Sequence, residues 1–244
     1  GYATRIAPLP CSKELYPIGL HADADQLRHP KAVSHYLLEK FKHAGISKIF
    51  ICLRKGKWDI LDYYGDGSAM GLDIAYLVNQ LPWGAPFTVD RAFNYLQDSV
   101  VALGFPDILF EPVDAYAMLL SQLENSQADI LLGLFPVDRS AKIDMIEIDP
   151  EGRVTRIEIK PAVTSLRYSW GIAVWRPRFS RFMHEFLNAT EDPESLHKEW
   201  YVGHVIEAAI EAGLRIDGVP VSEEPFLDIG TPDDLLQAMH RYMP

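Results

Sequence analysis

Apolar positions along the chain fall into two alternating patterns. Lys48-Ile-Phe-Ile-Cys-Leu53, Asp73-Ile-Ala-Tyr-Leu-Val78, Val100-Val-Ala-Leu103 and Ile130-Leu-Leu-Gly-Leu-Phe135 are short, nearly unbroken apolar runs rich in strand formers. Runs of this kind predict strands covered on both faces, as in a parallel sheet. Helical patterns lie between them. Lys31 to Ala44 carries Val33, Tyr36, Leu37, Leu38 and Phe41 on one stripe, with Pro30 just before it and Gly45 to stop it. Asp114 to Leu123 is a second predicted helix with Asp114 as its cap. Strand and helix in repetition predict an α/β fold, with helices on the faces of a mostly parallel sheet.

The second half changes character. Met145-Ile-Glu-Ile148, Asp149-Pro-Glu-Gly152 and Arg153-Val-Thr-Arg-Ile157 predict a β-hairpin around a Pro/Gly turn. A strand at Ser169–Trp175, helices near 177–188 and 198–212, and a strand at Ile216–Val221 follow. The last helix starts at Thr231-Pro232-Asp233-Asp234: a hydroxyl cap, a first-turn proline, and carboxylates facing the positive helix end. With no internal repeat or long linker, residues 1–244 read as one domain carrying an inserted antiparallel piece.

Composition narrows the function classes. Of the 244 residues, 48% are hydrophobic, enough for a sizeable core. Thirty-four acidic against 23 basic side chains leave a net charge of −11. Such a surface repels a nucleic-acid backbone, but one local basic pocket could still hold a small phosphorylated ligand. Cys11 and Cys52 are too few for a disulfide framework. No apolar run approaches the ~20 residues that span a bilayer, and no leader pattern is visible. The expectation is a soluble, cytoplasmic protein without nucleic-acid or membrane partners.

Five segments carry candidate chemistry. Gly1-Tyr-Ala-Thr-Arg5 through Lys13 to Gly19 joins small residues, which admit phosphate oxygens to backbone N–H groups, with two cations. Taken alone it reads equally as a Gly/Pro-rich surface loop. Gly65-Asp-Gly-Ser-Ala-Met-Gly71, with Asn79, Gln80 and Gly84 beyond the next strand, reads first as strand-connecting turns. Asp107 ends Leu103-Gly-Phe-Pro-Asp107 at the carboxyl end of a strand, where open α/β sheets bind ligands and where a carboxylate could hold a metal or cap a turn. Ile159-Lys160-Pro161 with Trp170-Gly171, and Leu227-Asp228-Ile-Gly-Thr-Pro232, complete the set.

In this order the five segments resemble the sugar-1-phosphate nucleotidyltransferases, which include the glucose-1-phosphate thymidylyltransferases and uridylyltransferases. The marks are Gly1…Thr4-Arg5…Lys13-Glu14-Leu15…Pro17, Ala44-Gly45-Ile46, Gly65-Asp66-Gly67-Ser68…Gly71 and Asp228-Ile229-Gly230-Thr231-Pro232. The resemblance spans essentially the whole chain. It implies a Rossmann-like mixed sheet with helices on both faces and a small antiparallel sugar-binding lobe. The nucleotide half would cover about 1–135 and the sugar half about 136–230.

The resemblance also implies a reaction. A sugar 1-phosphate attacks the α-phosphorus of dTTP or UTP in line, and pyrophosphate leaves. Arg5 and Lys13 would serve the reacting phosphates, and Mg²⁺ would be held by Asp107 and Asp228. Gly1, Asn79, Gln80 and Gly84 would bind nucleotide, Lys160 would grip the sugar phosphate, and Gly171 would line the sugar pocket. Members often form homo-oligomers. The sequence departs from the pattern in places. The span from Arg5 to Lys13 is short. Ile159 stands where a glutamate usually precedes the lysine, with Glu158 one position off. The strand expected ahead of the opening loop is missing from these residues. A catalytically silent relative that binds nucleotide or sugar phosphate is the alternative. A glycosyltransferase using Asp23-Ala-Asp25 ranks third.

Three other features carry bland expectations. His21, His29 and His35, with Asp23 and Asp25, read as a solvated loop rather than a metal cluster. Arg54-Lys-Gly-Lys57 reads as a solvated turn, and Tyr201 as a core position of its helix.

Overall fold

The computed structural model describes residues 5–22, 26–80, 83–137, 143–191, 193 and 199–243. Its strands are β1 (Pro17–Ala22), β2 (Arg28–Ala32), β3 (Lys48–Arg54), β4 (Asp73–Asn79), β5 (Val101–Leu103), β6 (Ile108–Leu109), β7 (Ile130–Pro136), β8 (Met145–Ile148), β9 (Val154–Glu158), β10 (Tyr168–Trp175), β11 (Ile216–Pro220) and β12 (Leu227–Asp228). Its helices are α1 (Val33–His43), α2 (Trp58–Tyr64), α3 (Ala85–Val89), α4 (Phe93–Leu96), α5 (Ala115–Glu124), α6 (Pro177–Ala189), α7 (Val202–Glu211) and α8 (Pro232–Tyr242).

The apolar runs become strands, but they are not all covered on both faces: β4 leaves Asp73, Ala75 and Val78 exposed, and β3 is fully buried only at Ile49 and Leu53. β7 is buried at every position but its last, and β10 at every position but its first. They sit in a six-stranded sheet of order β11-β7-β10-β8-β9, with β5 also paired to β10. The sheet is mixed. β11 runs parallel to β7, whereas β10 runs antiparallel to β5, β7 and β8. β3 and β4 form a separate parallel pair with Lys48 opposite Asp73 and Arg54 opposite Asn79. Among the described residues neither pairs with the larger sheet.

Helices cover both faces of the six-stranded sheet. On one side α1 and α5 pack Leu37, Phe41, Tyr116 and Leu119 against Leu131, Phe135, Ile172 and Val174. On the other, α6 and α7 bring Phe179, Met183, Leu187, Val205 and Ile206 onto Leu132, Leu134, Ala173 and Trp175. The buried residues of α6, Phe179, Ser180, Met183 and Leu187, recur at three- and four-residue spacing, as a one-faced amphipathic helix requires. A third cluster joins Ile18, Val33, Leu109, Leu227, Ile229 and Ala238, tying β1, β6, β12 and α8 together.

Local signals govern several ends. The Thr231 hydroxyl accepts the Asp234 N–H at 3.3 Å, capping α8 as its sequence predicts. Asp114 occupies the cap position of α5 but makes no side-chain cap bond. α7 starts at Val202, later than expected, and leaves Tyr201 outside the helix.

Two expectations are corrected. Lys57 is buried and ion-paired with Glu14, so the Arg54–Lys57 run is not simply a solvated turn. The region of His21 and His29 is an antiparallel hairpin, with His21 opposite His29, rather than a loop. His35 projects from α1 and is buried against His21 at 4.8 Å between ring centroids. Desolvation pushes its imidazole down to about 4, so it stays neutral at physiological pH. No group of three or more metal-ligating side chains is arranged to hold an ion among the described residues. Asp23 and Asp25 lie outside them.

Candidate active site

The junction of three segments far apart in sequence brings the charged candidates together. The short helical turn Lys13–Leu15 presents the Lys13 ammonium. The turn between β5 and β6 presents Asp107, and β12 presents Asp228. β12 pairs with β6 so that Asp228 faces Ile108, one residue from Asp107, and the Ile229 N–H donates to the Asp107 carbonyl at 2.9 Å. Lys13 forms an ion pair with Asp107 and reaches the Ile229 carbonyl at 3.4 Å.

The two acids and the lysine share one electrostatic environment. Burial and then the neighbouring Asp107 charge hold the Asp228 carboxyl above its usual range, against Lys13 and Arg5. Burial alone would lower the Lys13 ammonium, but Asp107, Asp228 and Glu14 outweigh it and hold the lysine above its usual value. Arg5 lies alongside. A Cβ on Gly230 would come 3.0 Å from its guanidinium, so the glycine ahead of α8 leaves room for that arginine.

Lys160 approaches the same place from the second half of the chain. It follows β9 in a left-handed conformation (φ 45°), uncommon for a side-chain-bearing residue. Its ammonium lies 3.4 Å from the centroid of the Tyr201 ring, a cation–π contact. Burial, with a smaller push from Arg5, holds it below the usual lysine range against Asp144, Glu199 and Asp228. Arg5, Lys13, Asp107, Asp228 and Lys160 therefore act on a common space. Tyr201, expected in the core, lines it instead.

Two of the remaining candidates, Asn79 and Gly84, sit on a connected polar path. The buried Asn79 donates to the Thr88 hydroxyl at 2.9 Å, and that hydroxyl donates to the Gly84 carbonyl at 3.1 Å. Asn79 thus braces the segment beyond β4, while its neighbour Gln80 is exposed. Gly84 (φ 119°) bridges Trp200, and a Cβ there would lie 2.1 Å from the Trp200 carbonyl oxygen. Its need for glycine arises from this close backbone crossing. Trp200 precedes Tyr201, so the path ends beneath Lys160. Gly171 lies at an irregularity in β10, where a Cβ would come 3.1 Å from the Phe226 ring and 3.2 Å from that of Phe135. Gly1 lies outside the described residues.

One group had no signal in sequence. Asp144 is buried just ahead of β8, and burial raises its carboxyl to about 6 despite the pull of Lys160. An acid with a raised value in the fold is penalised when ionised. That penalty is full above about 6 and fades as the pH falls toward the ordinary value of 3.8. Asp144→Asn is therefore expected to melt at a higher temperature than wild type at pH 7, with the gain shrinking at pH 5. Melting curves at both pH values check it; a gain unchanged by pH would contradict it.

Comparisons with known proteins identify the family. A profile of the nucleotidyl transferase family matches residues 1–243, so the chain belongs to that family. It is similar to the low-salt glycan biosynthesis nucleotidyltransferase Agl11 of Haloferax volcanii, 26% identical over 243 residues, 98% of this chain and 62% of the relative. It is also similar to a glucose-1-phosphate thymidylyltransferase of Streptomyces antibioticus, 28% identical over 242 residues, 97% of this chain and 62% of the relative. The chain thus spans less than two thirds of the length of these curated relatives. A Bacillus anthracis structure, assigned as a glucose-1-phosphate thymidylyltransferase and solved with sucrose, superposes with a TM-score of 0.83 at 17% identity, covering 99% of this chain and 91% of the other. A UDP-glucose pyrophosphorylase with UDP-glucose gives 0.78 at 16% identity, covering 99% and 94%. At such identities the superpositions establish the shared α/β fold. No helix among the described residues is long and apolar enough to cross a membrane.

Proposed function

We propose that the protein transfers a nucleotidyl group from a nucleoside triphosphate, dTTP or UTP, to a sugar 1-phosphate, giving a nucleotide-diphosphate sugar and pyrophosphate. The observation that carries this reading is the convergence of Arg5, Lys13 and Lys160 on the Asp107–Asp228 pair. A phosphate oxygen of the sugar substrate forms a new bond to the α-phosphorus, and the bond from that phosphorus to the β-phosphate oxygen breaks. The attacking oxygen is already an anion, so no side chain needs to remove a proton. Charge neutralisation and alignment carry the catalysis. In this reading Arg5 and Lys13 hold the triphosphate and the departing pyrophosphate, and Lys160 holds the sugar phosphate opposite them. Gln80 and the backbone around Gly84 face the nucleoside, with Asn79 bracing their loop. Gly171 keeps the floor of the sugar side thin.

Asp107 and Asp228 are suited to Mg²⁺. Both are hard oxygen donors, and the Asp228 carboxyl, raised by burial and then by the Asp107 charge, is one whose ionised form a cation would favour. Two protein carboxylates are an ordinary donor set for an ion that keeps waters and binds phosphate oxygens. When bound there, the ion would neutralise charge on the phosphates. The remaining work of binding and orientation falls to the side chains above.

The test is pyrophosphate release with Mg²⁺, using dTTP, UTP, CTP, GTP and ATP against several sugar 1-phosphates. Release confined to one nucleotide and one sugar class is expected, with its loss in Asp228→Ala. Nucleotide binding without release for every pair would replace this reading with the catalytically silent one.

A further inference from the structure

Lys13 stands on a turn too short to hold itself. Lys13–Leu15 is a single 3-10 turn, closed by the Leu15 N–H to the Ser12 carbonyl at 2.8 Å and the Tyr16 N–H to the Lys13 carbonyl at 3.1 Å. So brief a turn is marginal without tertiary support. That support comes from α2 and the residue ahead of it. Asp59, in the first turn of α2, accepts the Ser12 N–H at 2.7 Å on one carboxylate oxygen and the Ser12 hydroxyl at 2.8 Å on the other. Lys57, immediately before α2, is ion-paired with Glu14, and both side chains are 10% exposed. The Ser34 hydroxyl of α1 donates to the Glu14 carbonyl at 2.7 Å. Its one proton is spent there, so at 2.6 Å it accepts from the Tyr64 hydroxyl at the far end of α2.

The residues on both sides of Lys13 are therefore gripped by a segment 43 to 47 residues away. The grip works against local stability. A carboxylate in a first turn ordinarily serves the N–H groups of its own helix. Asp59 instead gives Oδ2 to Ser12 and shares Oδ1 between Ser12 and the Ile60 N–H at 3.1 Å. Ser12 stands at the cap position of its turn, yet its hydroxyl makes no cap bond. Glu14 Oε2 is buried without a hydrogen-bond partner among the described residues, and a buried acid satisfied on one oxygen is costly to keep. The turn held in this way carries the ammonium that meets Asp107.

We infer that Asp59 is a positioning residue for Lys13: by accepting both Ser12 bonds it fixes the turn from which the ammonium reaches into the site, and so sets the affinity for the triphosphate. The inference rests on the functional reading above, in which Lys13 holds that triphosphate. Asp59 acts through the turn. Asparagine can accept the Ser12 N–H through its oxygen and donate to the Ser12 hydroxyl through its amide, so it should keep the turn in place. Alanine keeps neither bond and should let Lys13 drift. Asp59 is half-buried, so these changes leave the three hydrophobic clusters untouched.

Calorimetric titration of dTTP, UTP and glucose 1-phosphate, with Mg²⁺ present, into wild type, Asp59→Asn, Asp59→Ala, Ser12→Ala, Lys13→Ala and the Asp59→Ala/Lys13→Ala double variant tests this. Asp59→Ala is expected to bind the preferred triphosphate about 10-fold more weakly, with Asp59→Asn and Ser12→Ala within about 3-fold of wild type. The double variant should bind it no more weakly than Lys13→Ala alone, because Asp59 acts through the lysine. Glucose 1-phosphate affinity should be unchanged in the Asp59 and Ser12 variants, which a general loss of structure would not spare. Triphosphate binding by Asp59→Ala equal to wild type, losses that add in the double variant, or equal losses for both ligands would overturn the positioning role and leave the functional reading standing. Failure of wild type itself to bind a triphosphate or glucose 1-phosphate would overturn both.

Discussion

Asp228→Asn is expected to lower pyrophosphate release by about 1,000-fold or more while raising the stability of the unliganded protein. The loss corresponds to roughly 4 kcal/mol of transition-state stabilisation, the scale on which electrostatic groups at a reacting phosphate operate. The gain has a separate origin. Asp228 is half-buried beside Asp107, and its carboxyl is held above 3.8 in the fold. The ionised form is therefore disfavoured by folding. That cost is present in full above the raised value and disappears as the pH falls toward 3.8. Asparagine carries no charge and escapes it. At neutral pH the variant should melt higher than wild type, and the difference should shrink on acidification. Mg²⁺ with nucleotide should raise the melting temperature of wild type far more than that of the variant, since a ligand stabilises only the state that binds it. Calorimetric melts with and without Mg²⁺ and nucleotide, set beside initial rates, check both halves. Retained activity, or a destabilised variant, would contradict the role given to Asp228.

Lys13→Ala should be damaging on both counts. Lys13 and Asp107 are mostly buried, with side chains 15% and 22% exposed. Removing one member of such a pair leaves the other charge uncompensated, at a cost of about 3 kcal/mol. Here Asp228 adds to the load, because the Lys13 charge also offsets part of the upward push that burial and Asp107 exert on its carboxyl. The lysine's raised value means that its contribution is present throughout the range below 10.5 and is lost only as the pH rises through the raised value. The destabilisation should therefore be flat from pH 6 to 9. Pyrophosphate release should fall about 100- to 1,000-fold through lost phosphate contacts. The double variant Lys13→Ala/Asp107→Ala separates the two effects. It should recover part of the stability, because no unpaired charge remains at that pair, and none of the activity. A double variant less stable than Lys13→Ala would show that the pair contributes packing rather than charge balance. Denaturant unfolding with matched rates decides it.

Local physics made much of the fold legible in the amino-acid sequence. The apolar runs at 48–53, 73–78 and 130–135 are strands, although only 130–135 is covered on both faces. The Thr-Pro-Asp-Asp start of α8 satisfies its own first-turn N–H groups, and that helix begins where those residues stand. The hairpin of β8 and β9 follows from its alternation and its Pro/Gly turn. These signals act within a few residues, so no knowledge of the rest of the chain is needed to read them.

The arrangement of the site depends on contacts between distant segments. The β1–β2 hairpin contains Arg28-His-Pro-Lys31 and shows no strand-like alternation; only its packing beneath α8 makes it a sheet. Lys57 reads as solvated until Glu14, 43 residues away, is found beside it. Tyr201 has an apolar pattern around it, yet the late start of α7 turns its ring to Lys160. Asp144 belongs to no motif at all, and its burial just ahead of β8 is visible only in the folded chain. Arg5, Lys13, Asp107, Lys160 and Asp228 could be named from spacing and resemblance, because their residue types suit phosphate and metal. That they share one space is a consequence of β6 pairing with β12 and of β9 ending beside α7. Pairings between distant segments leave no periodicity in the chain, so only the tertiary structure decides them.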